Sequence, residues 1–236
     1  MYVPTPFRPD SATIKALIDS HATGQLITAT ADGPLATLVP WVRHDDGTEY
    51  GRLLGHLARG NDHWHTPHLG DALVVMSGPQ GYISPSWYAA KHEHGRVVPT
   101  WNKMELQLRG EFIVHDDVTW VRELVSDLTA LHENNRDTPW SLDDAPPEFI
   151  DAQLRAIVGI EVRITSVNAS VKMSQNRPHS DIPGIIDGLH SDGRHDLAQL
   201  VRQGASSDDV RERIDRLYKR SKQPAGAKGS SVSEML

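Results

Sequence analysis

Short runs in which apolar and polar residues alternate, broken by Asp-Gly pairs, limit the fold of this chain more than any other feature. Gln25 to Thr30 and Leu35 to Val42 flank Asp32-Gly33, a pair suited to the tight turn of a β-hairpin. Asp46-Gly47 marks a second turn before an extended run from about Tyr50 to Ala58. Ala72 to Ser77 is continuously apolar. Met104, Leu106 and Leu108 alternate with Glu105, Gln107 and Arg109, and the run continues through Phe112 and Val114. Several short antiparallel strands at this spacing predict a barrel.

Helical periodicity intervenes in places. Ser11 is positioned to cap a first helix with Ile14, Leu17 and Ile18 on one face, and Gly24 to end it. Between Asp116 and Asn134 the period becomes 3.6, with Val118, Val121, Leu124, Val125, Leu128 and Leu131 as an apolar stripe. Trp140 to Pro147 reads as a loop, Pro147 as the first turn of a short helix, and Val158 to Val171 as a long last strand. These patterns place one mainly β domain over residues 1–178. A helical extension over 179–220 follows, its last helix carrying Val210, Ile214 and Leu217, and then a disordered tail over 221–236 rich in Gly, Ser, Lys and Pro.

Composition narrows the function. A formal net charge of −7 opposes whole-molecule attraction to DNA. With no cysteine there is no disulfide framework, thiolate metal site or thiol nucleophile. No apolar run is long enough for a membrane span and no signal-peptide pattern opens the chain, so a cytoplasmic location is expected. No Walker or dinucleotide glycine loop and no nucleophile-elbow serine occurs.

Four polar-aromatic segments stand out: Gly55 to Asn61 with Trp64, Tyr82 to Tyr88, Val98 to Asn102, and Lys172 to Pro178. Each lies at or near the end of a strand-like run, where side chains and backbone amides can converge on a large planar anion. In order and wording they resemble the PaiB-type family of FMN-binding proteins, often described as negative transcriptional regulators. The opening Met1-Tyr2-Val3-Pro4 with Phe7 is similar too, and the likeness runs to about residue 190. Two positions depart from the pattern: Asp62 stands where the family usually has Pro, and Lys103 where it has an aromatic residue.

That resemblance implies a split β-barrel with flanking helices, similar to the barrels of pyridoxamine-phosphate oxidases and flavin reductases, assembled as a homodimer with FMN at the interface. FMN needs a cation for its phosphate, donors for its ribityl hydroxyls and an apolar wall for its ring. Arg59 suits the phosphate, with Asn61 and the amides around Gly60 as further donors. His56 either faces the same pocket or lines the barrel as a hydrogen-bonded histidine. Ser84, Ser86, Thr100 and Asn102 offer hydroxyl and amide groups, or simply form turns around Pro85 and Pro99. Trp87 and Trp101 either cover the isoalloxazine or pack in a core. The resemblance adds the backbone of Val39, Pro40 and Trp41 against the ring. It also adds Lys172, Gln175, Asn176 and Arg177, reaching the cofactor of a partner subunit.

The histidines at 56, 63, 65 and 68, with His92 and His94 beyond, could with Asp62 hold zinc or another first-row metal, but their spacing matches no metal motif and no metal is expected. The segment 208–220 mixes Arg and Lys with Asp and Glu, which reads as a solvated helical face, so direct DNA binding is not expected. The chain therefore reads as an FMN-binding protein of a family of transcriptional regulators. The alternatives are an FMN-dependent oxidoreductase acting on a small molecule and a haem-binding or haem-degrading split barrel.

Overall fold

The computed structural model describes residues 1–204; the helix expected around Val210, Ile214 and Leu217, the segment 208–220 and the tail 221–236 lie outside the described residues. Two compact units divide the described residues, one formed by residues 1–78 and 103–171, the other by 79–102 and 172–204. The second unit thus takes in 79–102 as well as the C-terminal helices.

In the first unit, α1 (Ser11–Ser20) leads into strands β1 (Thr23–Thr30), β2 (Gly33–Pro40), β3 (Val42–His44) and β4 (Arg52–Ala58). Then come β5 (Ala72–Ile83) and β6 (Thr100–His115), both running into the second unit, helices α3 (Val118–Glu133) and α4 (Pro147–Arg155), and β7 (Ile157–Lys172). The sheet has seven strands in the order β2-β1-β5-β6-β7-β4-β3. Its end strands curl toward one another: a Cβ on Gly55 in β4 would lie 2.8–2.9 Å from Val39, the Pro40 carbonyl and Trp41. The result is a split β-barrel with flanking helices.

The Asp32-Gly33 hairpin forms with Ala31 and Asp32 as its loop, Thr30 pairing with Gly33, whose φ of +115° favours glycine. Alternation in β6 holds as well, with Met104, Leu106, Leu108 and Phe112 buried. Leu106, Leu108 and Phe112 join Leu26, Trp41, Leu53 and Ile160 in the barrel core, onto which Ile14 and Ile18 of α1 also pack.

Several boundaries differ from the sequence reading. Asp10, not Ser11, caps α1, its carboxylate accepting from Thr13 N–H at 2.7 Å, while Ser11 donates to Glu49. Gly24 lies within β1, where a side chain would meet Val74 and Met76 at 2.9 Å, and α1 ends instead at His21. Strand β5 continues through Gly78-Pro79-Gln80-Gly81, and the extended run expected to reach Val42 breaks at Trp41. Val118 and Leu131, at the edges of the α3 stripe, are half-exposed, leaving Val121, Leu124 and Leu128 as its buried centre.

Helix α3 covers the outer face of β4. Leu54 packs with Leu124 and Leu128, and Val121 packs with Leu142, Ile150 and Leu154. Trp120 lies flat on His115, ring centroids 4.0 Å apart, and His115 Nε2 contacts the fully buried Glu161 at 2.8 Å. Burial pushes the Glu161 carboxyl up, but Arg163, His115 and Arg52 outweigh it and hold it below the ordinary value.

In the second unit, the turn carrying Trp87 packs on α2 (Ala89–His94) and α5 (Ile182–Ser191), and α6 (His195–Gly204) packs on α5. Trp87 rests on Gly188, where a Cβ would fall 2.2 Å from the ring, and the buried Asp181 accepts from Ala90 N–H at 2.9 Å. Among the described residues no helix is long and apolar enough to cross a membrane.

The seat of α3 is tested at Gly159 in β7, where a Cβ would stand 2.2 Å from the Trp120 ring. Replacing Gly159 with Ala should cost about 1–3 kcal/mol in urea unfolding, as overpacking of a closed contact does.

Candidate functional site

Strand β4 is buried on both faces. Leu53, Gly55 and Leu57 point into the barrel, while Leu54 and His56 point outward beneath α3. His56 therefore does not line the barrel interior, the period-two alternation of the strand having carried it to the other side. It helps line a cavity of about 340 Å³, together with Pro40, Trp140 and residues Val125, Leu128 and Thr129 of α3. His56 Nδ1 is buried with no hydrogen-bond partner. Burial lowers its pKa from the usual 6.5, so the imidazole at this wall is neutral near pH 7.

Of the expected ring contacts, only Pro40 presents its side chain outward. Val39 is fully buried, and Trp41 is buried with its indole N–H donating to Gly24 O at 3.2 Å. At the end of β4 the chain turns through Gly60, where an added Cβ would meet nothing within 4 Å. Arg59 forks onto the Asp116 carboxylate at 2.6 and 3.1 Å and donates to Arg155 O; both partners of that ion pair are about half-exposed. Asn61 reaches the other way, toward Thr37, and its side chain accepts from His63 N–H at 2.9 Å. It thereby caps a short 3₁₀ turn over Asp62–Trp64. Asp62 holds the first position of that turn, where the family's proline would also fit, so the departure leaves the turn intact. Lys103, the other departure, pairs with Glu105 at 2.7 Å.

The histidine-rich stretch is mostly structural. Buried His63 spends one ring nitrogen on Thr28 at 2.8 Å and the other on Thr37 at 2.9 Å. His65 pairs with Asp62, and His68 packs edge-on against Phe112.

The remaining expected residues belong to the second unit. Ser84 caps the 3₁₀ turn Pro85–Trp87, accepting from Ser86 N–H, and Ser86 accepts from Lys91. Lys172 donates to Thr100. Asn102, fully buried, exchanges hydrogen bonds with Ser174, whose φ of +62° marks a tight bend. Gln175 accepts from Met173 N–H, Asn176 is exposed, and half-exposed Trp101 donates to Gln80 at 3.1 Å. Arg177 lies 4.3 Å over the Tyr88 ring and donates to Val98 O. The structure thus brings Thr100, Asn102 and Lys172 to one cluster with Ser174, and sets Trp87 into helix packing.

Sequence reasoning missed Thr129 and Trp140. A second cavity of about 380 Å³, lined in part by Arg122, Asn134 and Asp143, shares both residues with the first. Nothing local marks them, because the cavity is assembled from strand ends, the last turns of α3 and the loop beyond.

The neutral histidines carry a pH consequence. His56 and His63 both have pKa values lowered by burial, with His68 adding to the shift at His63. The unfolded chain therefore binds more protons than the folded one as pH falls below about 6.5, and stability drops in that window. Urea midpoints should decline from pH 7.5 to 5.5. A His56→Gln/His63→Gln protein should show a flatter decline.

Comparison with known proteins agrees with this architecture. Protease synthase and sporulation protein PAI 2 of Bacillus subtilis (strain 168) is 30% identical over 206 residues, 85% of this chain and 95% of that protein. Among solved structures, the FAD and haem binding protein from Mycobacterium smegmatis matches with a TM-score of 0.51 and 13% identity. That match covers 70% of this chain and 72% of that one. The conserved hypothetical protein Rv2991 from Mycobacterium tuberculosis also reaches 0.51, at 11% identity, over 76% of this chain and 95% of that one. At such identities these two structures speak for the fold alone. Residues 1–166 match the family model described as "Putative FMN-binding domain". The chain belongs to this PaiB-type family of FMN-binding proteins, and FMN is its cofactor.

Proposed function

We propose that the chain is an FMN flavoprotein that carries its cofactor on the outer side of β4, the ring beside Pro40 and His56 and the phosphate at Arg59. One observation carries this reading. A largely apolar cavity, lined also by His132 and Glu133 and bordered by the unpartnered neutral imidazole of His56, lies three residues, ~10 Å of strand, from an exposed guanidinium fork beside an open glycine backbone. The residues fit the group chemically. Pro40, Val125 and Leu128 supply an apolar wall, and His56 a hydrogen-bonding edge. An exposed ion pair such as Arg59–Asp116 contributes little, so a phosphate can take the fork over. Bound FMN would supply hydride or electron transfer; the chain's part is to hold and orient it.

In this reading the cellular role is regulatory, as the family resemblance implies. It acts through the flavin and through partners rather than by reading DNA, since the net charge is −7. A homodimer belongs to the same proposal, a second copy bringing its 172–177 segment toward the site. An oxidoreductase is the second reading, favoured by the neutral His56 at the cavity wall, a group able to pass a proton near a reacting ring. Anaerobic addition of NADH or NADPH to FMN-loaded protein separates the two: bleaching of the flavin bands supports the enzyme, and inertness the regulator.

The phosphate assignment makes paired predictions. Arg59→Ala should weaken FMN binding roughly 10- to 100-fold while leaving riboflavin binding nearly unchanged. Asp116→Asn, which frees the fork, should tighten FMN several-fold in the same titration. Equal losses for both ligands in Arg59→Ala would remove Arg59 from the site.

A further inference from the structure

We propose that Trp140 is a specificity-determining wall of the flavin site, supplied by the same chain that supplies His56 and Arg59. The inference rests on the FMN reading above and adds a residue that none of the four family segments contains. Trp140 lines the cavity opposite strand residues Pro40 and His56, on the loop that follows α3.

Two features make it a wall rather than a loose surface indole. The loop is pinned on both sides of the residue. Trp140 N–H donates to Glu133 Oε2 at 3.2 Å, and Glu133 is held in turn by Arg136 at 3.0 Å. Immediately beyond, Ser141 N–H and hydroxyl both donate to Asp144, and Leu142 is buried against α3 and α4. A loop backbone held in this way sets residue 140 beside the cavity before any ligand arrives, which lowers the entropic cost of binding. Trp140 nevertheless keeps 44% of its surface exposed. A half-exposed indole carried on a pinned loop beside a largely apolar cavity gains by covering a flat ring.

The volume supports a ring rather than a whole cofactor. About 340 Å³ lies at the small end of the range for ligand sites, roughly 300–1,000 Å³. That is room for a fused aromatic system, with the ribityl phosphate running out along β4 toward Arg59. His56 Nδ1, buried and unpartnered, is then the polar group that a heteroaromatic edge can satisfy. Thr129, which lines both cavities, marks where a larger side chain would close this one.

The test is a fluorescence titration of FMN and of riboflavin into the full chain. An indole next to a flavin quenches its emission by electron transfer, so wild-type protein should bind both ligands with strong quenching. Trp140→Leu should leave bound flavin markedly brighter and weaken both ligands about three- to tenfold, and Trp140→Phe should restore most of the affinity. Thr129→Trp should weaken FMN and riboflavin equally, since it fills the ring compartment and not the phosphate site. The inference is overturned if Trp140→Leu and Thr129→Trp, both with urea midpoints near wild type, bind FMN as wild type does. It is likewise overturned if quenching survives Trp140→Leu but is lost in Trp64→Leu. Wild-type protein that takes up neither flavin overturns the FMN reading itself, and this inference with it.

Discussion

Burial of β4 on both faces is the constraint on which the first unit depends. Leu53 and Leu57 complete the barrel core from inside, and Leu54 seats α3 from outside, so a strand of seven residues serves two cores. Gly55 makes that possible: without a Cβ it lets the end of β2 close over β4, bringing Pro40 next to His56. His56 is left as a polar side chain on the outer face, beneath α3. His56 is buried enough to stay neutral and yet borders a cavity, a combination that suits recognition of an uncharged heteroaromatic edge.

The helix that roofs this cavity is held by charge as well as by packing. Glu161 in β7 lies within reach of Arg52, Arg163 and His115, and the His115 ring carries Trp120 at the start of α3. Removing one member of such a buried group leaves an uncompensated charge, a larger cost than any exposed pair in the chain. Arg59 and Asp116 make the opposite kind of pair, half-exposed and weak, with Asp116 just ahead of α3. The unit thus combines a fixed ionic anchor in its interior with an exchangeable cation at its rim.

Much of this architecture was legible in the sequence where the signal is local. The Asp32-Gly33 hairpin, the alternation at Met104, Leu106 and Leu108, and the α3 stripe each rest on contacts within one or two turns or strands. The cap of α1 falls one residue earlier than the sequence reading: Ser11 has a capping side chain, but Asp10 holds the N-cap backbone position. The apolar run ends at Ser77, but the strand continues through Gly78-Pro79-Gln80-Gly81, with the missing Cβ of Gly78 leaving room for His21 and Met104. The site was less legible. Arg59, Asn61 and His56 could be named from their segment, yet their directions depend on partners at Asp116, Thr37 and the α3 face. Trp140 and Thr129 carry no motif and enter only through the fold. His63, which in sequence belongs to a histidine-rich stretch, is spent wholly on two threonines from neighbouring strands.

Hydrogen–deuterium exchange of the full chain with and without FMN tests the central claim most directly, because it locates the cofactor without altering the protein. FMN carried on the outer face of β4 predicts new protection over residues 52–61 and along the last turns of α3, from Leu124 to Glu133, extending to Trp140. Protection confined to residues 98–102 and 172–177, with β4 and α3 unchanged, would contradict it.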